Sequence, residues 1–283
     1  MAASEGMTVS TSTNELASKM NAYRLRFATG RRLLVAGGVL GLLVLTVRAD
    51  DVAFTNALAQ AMLAGQQTNW PGALKEMAAG ESLAGTNCAR LCLVTKYYCD
   101  LMHLAGADSR QQSLAELALG TAQRAEQADA RSATAHLCVA VCYVKNFPYA
   151  PNARKVVWSR AIKSECETAI ALDPKQDVGY YLLGRWEFGV ANMNFFIKGL
   201  VRLVYGGLPA ASNDEAIRDF QKAIALAPRR IIHHAELAKV YAATGEFKLA
   251  RVEWETCVAL KPVDADDADA QAEAGQQLAA LGK

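Results

Sequence analysis

Aromatic residues make up only 7% of this 283-residue chain, prolines number seven and histidines four. Runs of β-branched residues between turn signals are nearly absent. Almost no stretch alternates polar and apolar with a period of two, which argues against a sheet-based fold. The chain has no glycine-rich phosphate loop, no nucleophile elbow and no HExxH helix. The nucleotide-hydrolysing, acyl-transfer and zinc-peptidase classes therefore lack their signature residues, and the chain reads as a non-enzyme with no catalytic residue, cofactor or metal assigned. A one-sided charge is missing too: 30 Lys and Arg stand against 28 Asp and Glu. Residues 1–49 hold six basic groups and two acidic ones, leaving 24 basic against 26 acidic in the rest. Phosphate backbones attract proteins mainly through clustered Lys and Arg, so nucleic acid is not an expected partner.

What is present is alanine at high density, an apolar fraction of 52%, and long stretches with a period near 3.6 residues. That combination reads as all-α. Small side chains at this density let helices approach closely, as stacked helix pairs require.

Residues 1–32 form a polar, then basic N-terminal region ending in Arg24, Arg26, Arg31 and Arg32. Residues 33–49 follow as an apolar segment, with the run Leu33 to Thr46 and then Val47-Arg48-Ala49. A basic flank, a short apolar centre and a small-residue site describe a secretory signal, which would start the mature chain at Asp50. The run of about 14 residues is shorter than the about 20 that a spanning helix needs. An uncleaved anchor and a buried helix of the fold stay open beside the signal. The expected location is exported or membrane-anchored, or cytoplasmic and microtubule-associated if the segment is not a signal.

Residues 50–283 carry a repeat. Glu167 to Pro174, Gln221 to Pro228 and Glu255 to Pro262 align without gaps, and Pro228 and Pro262 are 34 residues apart, the tetratricopeptide period. In the last unit, which begins at Ile231, Ala238 and Ala250 occupy positions where two helices cross, and Trp254 fills the gap beside them. Proline ends the second helix because it lacks an N–H and clashes with the preceding turn. Earlier helix pairs are predicted at Phe54–Leu63 with Pro71–Ala79, Asn87–Leu104 with Gln111–Ala128, and Ser132–Val144 with Lys155–Leu172. The tail from Asp264 to Leu281 reads as a capping helix, which such arrays need. The fold expected is a tetratricopeptide-like helical-repeat superhelix with an extra helix inserted in one repeat.

That insertion is visible as arithmetic. Pro174 and Pro228 are 54 residues apart, one period plus 20. The excess contains Phe195, Phe196, Ile197, Leu200, Val201, Leu203, Val204 and Tyr205, with Asn194, Lys198 and Arg202 as one narrow polar stripe. A helix apolar nearly all round is buried or meets lipid or ligand. The first expectation is an extra helix that fills part of the groove. Phe196, Leu200 and Val204 are its candidate contact residues otherwise.

The concave face is the default binding surface of such an array. Helix geometry points Val178, Tyr181, Arg185 and Phe188 inward from one unit, and Ile232, Ala235, Lys239 and Ala242 from the next. Tyr181, Arg185, Phe188 and Lys239 are the candidate binding residues, for a protein or peptide or for an apolar ligand or lipid. Arg185 is expected either to hold a ligand carboxylate or phosphate or to be paired internally. The histidines, His103, His136, His233 and His234, read as solvated or capping residues. Cys88 with Cys92, and Cys138 with Cys142, are four apart on predicted helices. They read as small apolar packers, with one disulfide between the clusters if the chain is exported, or zinc binding, as alternatives.

From about Ala169 onward the sequence resembles the regulator-of-microtubule-dynamics family. Tyr181-Leu182-Leu183-Gly184-Arg185-Trp186, Phe188 to Asn192, Leu208-Pro209 and Ala216 to Pro228 carry the resemblance. It implies a tetratricopeptide-like domain and association with microtubules or spindle poles. In some members it implies membrane anchoring at organelle contacts and lipid binding. The expected function is thus a non-catalytic binding or adaptor protein, with a membrane-anchored lipid-binding or lipid-transfer module as the alternative.

Overall fold

The computed structural model describes residues 49–106, 108–263 and 267–281. The basic region and most of the apolar segment, residues 1–48, lie outside the described residues. Twelve α-helices and no strand occur among those described. Five helix hairpins follow one another: α1 (Ala49–Gln66) with α2 (Trp70–Ala84), α3 (Cys88–Leu104) with α4 (Asp108–Ala128), α5 (Ala133–Asn146) with α6 (Asn152–Leu172), α7 (Asp177–Ala191) with α9 (Asn213–Leu226), and α10 (Ile231–Ala243) with α11 (Phe247–Ala259). The inserted helix α8 (Phe195–Tyr205) interrupts the fourth hairpin, and α12 (Asp267–Leu281) packs on the fifth. None of these helices is long and apolar enough to cross a membrane.

Local sequence starts the helices where the repeat places them. Asn69, Asn87 and Ser132 accept hydrogen bonds from backbone N–H groups of the first turns of α2, α3 and α5 at 3.1, 3.0 and 3.2 Å, each satisfying a donor that a helix start leaves unpaired. Ser212 does the same for α9 through Glu215 at 3.1 Å. Its own N–H donates to Glu187 of α7 at 3.3 Å, the bond that a capping box would give to the third-position glutamate.

Packing follows the small residues. Ala115, Ala118, Ala122 and Ala125 line one fully buried face of α4, and Ala216, Ala223, Ala238 and Ala250 stand at the crossings of the last two units. Between them sit the large side chains Leu58, Met77, Leu101, Phe220, Leu237 and Trp254. All seven cysteines are free thiols, and Cys92, Cys99, Cys142, Cys166 and Cys257 are buried among apolar neighbours.

Three of the four histidines depart from expectation, while His103 is exposed as expected. His136, His233 and His234 are buried, and each ring meets a carboxylate. His234 Nε2 faces the Pro228 carbonyl at 3.1 Å while Nδ1 meets Glu253 Oε2 at 2.6 Å. His136 makes the same pair of contacts with Ala130 and Glu165. Each lies four residues after its helix's N-cap residue, so the repeat itself places it under the preceding turn. A buried ring needs partners for both nitrogens, and these positions supply them.

Candidate functional site

Helices α7 and α10 of the last two units carry an ion-pair chain on apolar ground. Tyr181 packs its ring against Phe220 and His233, with centroids 6.2 and 5.1 Å away. Arg185 stacks over Tyr181, donates to its hydroxyl at 3.3 Å and approaches Glu236 to 3.8 Å. Lys239 bonds Glu236 at 3.2 Å and Glu273 of α12 at 2.9 Å. Burial opposes charge on Lys239, but its hydrogen bond with Glu273 and the Glu236 carboxylate outweigh that and raise its pKa. Phe188 is half-buried against the last core cluster. Tyr181, Arg185 and Lys239 thus share one face, and both cations are paired internally.

The insert does not fill the groove. No residue of α8 is buried, and Phe195, Phe196 and Leu203 are 81, 81 and 84% exposed. Ile197, Leu200 and Val204 complete an apolar ridge facing solvent. The expectation failed because composition says how apolar a helix is and not which way its anchors turn it. Those anchors lie at its ends. Asn194 caps the start through Phe196 N–H at 2.9 Å. Gly206 ends it at φ +77°, a left-handed conformation that favours glycine, and Gly207 N–H closes on the Val201 carbonyl at 3.2 Å. Arg160 of α6 then donates to the carbonyls of Tyr205 and Gly207, a cation on the negative end of the helix. Beside α8 runs a cleft of about 460 Å³ lined by Val190, Met193, Leu208, Lys198 and Arg202.

A buried ion pair secures the ground on which the insert stands. Glu187 is 2% exposed and bonds Lys163 at 2.5 Å, while Lys163 lies 4.6 Å over the Trp186 ring. Trp186 donates to the Ser159 carbonyl at 2.7 Å. Burial, with Glu187 nearby, pushes the Asp219 carboxyl up to about 6. Sequence reasoning missed Glu187, Lys163 and Arg160, whose partners lie 24 to 47 residues away in the chain.

The family model for Regulator of microtubule dynamics protein 1-3 matches residues 57–282, so the likeness reaches well upstream of Ala169. Regulator of microtubule dynamics protein 1 of Mus musculus is 27% identical over 176 residues, 62% of this chain and 58% of the relative. Regulator of microtubule dynamics protein 2 of Macaca fascicularis is 27% identical over 65% of this chain and 45% of its own length. The chain therefore spans about half the length of the curated relatives it matches. Among solved structures, a thermophilic tetratricopeptide-repeat protein of Thermus thermophilus aligns with TM-score 0.54 and 16% identity, over 79% of this chain and 99% of that one. That likeness supports the helical-repeat fold. The chain belongs to the regulator of microtubule dynamics protein 1-3 family.

Proposed function

We propose that this protein is a non-catalytic helical-repeat adaptor that docks a protein partner on the α8 ridge and the concave face. The observation that carries this reading is the ridge itself: six large apolar side chains held toward solvent on a helix fixed at both ends. Contiguous exposed apolar surface of this kind marks interaction sites. Phe196, Leu200 and Val204 are the contacts proposed on the ridge, and Tyr181, Arg185, Phe188 and Lys239 those on the concave face. The names of the relatives direct the partner class to microtubules or proteins bound to them.

A second reading, a membrane-anchored lipid-binding module, draws on the cleft beside α8. The apolar and cationic side chains in its lining suit an anionic amphiphile, and the segment 33–49 would export or anchor the chain. Co-sedimentation separates the two. Pelleting with preformed microtubules that is lost in Leu200→Asp supports the adaptor. Pelleting with anionic vesicles alone replaces it with the second reading. Unchanged behaviour of Leu200→Asp toward both would remove the ridge from either.

A further inference from the structure

Three helices from two successive units bring Glu126 of α4, His136 of α5 and Glu165 of α6 together. Their ligand atoms all lie within 4.8 Å of one another. His136 is 7% exposed. Its Nε2 is 3.0 Å from the Ala130 carbonyl, a contact that only an N–H can make as a hydrogen bond. Nδ1 faces Glu165 Oε2 at 2.6 Å, a hydrogen bond that places a proton on Nδ1 of the metal-free protein, and Glu126 Oε1 at 3.5 Å; a metal ion would displace that proton. Donation of one ring N–H to a backbone carbonyl, with the other nitrogen turned to the metal, is the way proteins orient a metal-ligating histidine.

The His234 site supplies an internal comparison. Its ring has the same frame, with a carbonyl on Nε2 and Glu253 on Nδ1, and a protonated ring balances its one carboxylate. At His136 a second carboxylate is present, so even a protonated ring leaves one negative charge uncompensated between Glu126 and Glu165. A divalent cation would balance two carboxylates and a neutral ring in full.

We propose that Glu126, His136 and Glu165 form a zinc site that ties the second unit to the third. Tetrahedral zinc, with bonds of about 2.0–2.2 Å to nitrogen and oxygen, spaces its donors about 3.3 Å apart. The 2.6 and 3.5 Å separations straddle that value, so small side-chain rotations admit the ion. The Glu126 and Glu165 side chains are 31 and 18% exposed, which leaves an approach for zinc and for a water as fourth ligand.

The test uses the full-length protein without a histidine tag, stripped by chelator and titrated with zinc chloride. One equivalent should bind and raise the melting temperature, as a ligand specific for the folded state must. Cobalt(II) should give visible d–d bands without the near-ultraviolet thiolate charge-transfer band, which separates this site from the cysteines. Glu126→Gln should weaken binding by more than the about 10–100-fold that loss of an outer-shell partner costs, and Glu253→Gln should leave it unchanged. His136→Gln should match Glu126→Gln. If it does not fold, the partly exposed Glu126 position carries the test, with circular dichroism confirming native helicity. Absence of zinc-dependent stabilisation, a thiolate band, or full binding by Glu126→Gln would overturn the proposal.

Discussion

A Cβ placed on Gly184 would stand 3.1 Å from two ring atoms of Phe220 and 3.2 Å from the Ala216 carbonyl oxygen. The two residues face each other where α7 and α9 cross, on either side of the insert. The hairpin keeps this close crossing although 20 extra residues separate its arms. Gly184→Val should therefore cost about 1–3 kcal/mol by overpacking, and Phe220→Ala about 3–5 kcal/mol. The pair should not add: in the Phe220→Ala background Gly184→Val should cost markedly less. Denaturant melts of the four proteins in the cycle check this. Ala223→Leu, fully buried at the same crossing, should also lose about 1–3 kcal/mol.

The His234–Glu253 contact predicts a pH dependence of stability. Burial works against a charged ring, but the Glu253 hydrogen bond, the Pro228 carbonyl and the Glu253 charge outweigh it, so His234 titrates above the ordinary histidine value. A group whose folded pKa is raised contributes stability that is full below its unfolded value of about 6.5 and fades as pH rises through the folded value. The melting temperature should accordingly fall as pH is raised from about 6 towards 8. His234→Gln should flatten its share of that slope. A slope of the same size in the variant would place the titration elsewhere.

Lys163→Met removes the cation paired with Glu187, whose carboxylate is buried. Breaking a buried pair from one side costs about 3–5 kcal/mol. Burial already pushes the Glu187 carboxyl up even with Lys163 beside it, so the loss should shrink as pH is lowered and Glu187 takes a proton. Urea melts of Lys163→Met at neutral and acidic pH measure it, and a pH-independent loss would point to the Trp186 contact instead.

The helical repeat was legible because it is written in local chemistry. Pro228 and Pro262 stop helices one period apart, and Ala118, Ala122 and Ala125 share the face that α4 buries. The insert was legible as an excess of length, but its facing was not. Its polar stripe turns inward, with Lys198 reaching the Val190 carbonyl, and its orientation rests also on Arg160, from a helix two elements earlier, so the apolar face is left toward solvent. The histidine positions carried a usable signal in their common distance from the N-cap, at Ser132 and His136 and again at Arg230 and His234. Their glutamate partners lie 29 and 19 residues on, beyond the reach of helix periodicity.

The account turns on α8 being a docking surface and not a core element, and Leu200→Asp tests that in one protein. Melting temperature and co-sedimentation with preformed microtubules should be measured together on this variant and its parent. Leu200 is exposed, so the change should alter stability by less than about 0.5 kcal/mol while partner binding is lost. A fall of about 2–5 kcal/mol, the cost of disrupting a buried leucine, would contradict the account by showing that the helix is part of the core. Unchanged stability together with undiminished binding would contradict it from the other side.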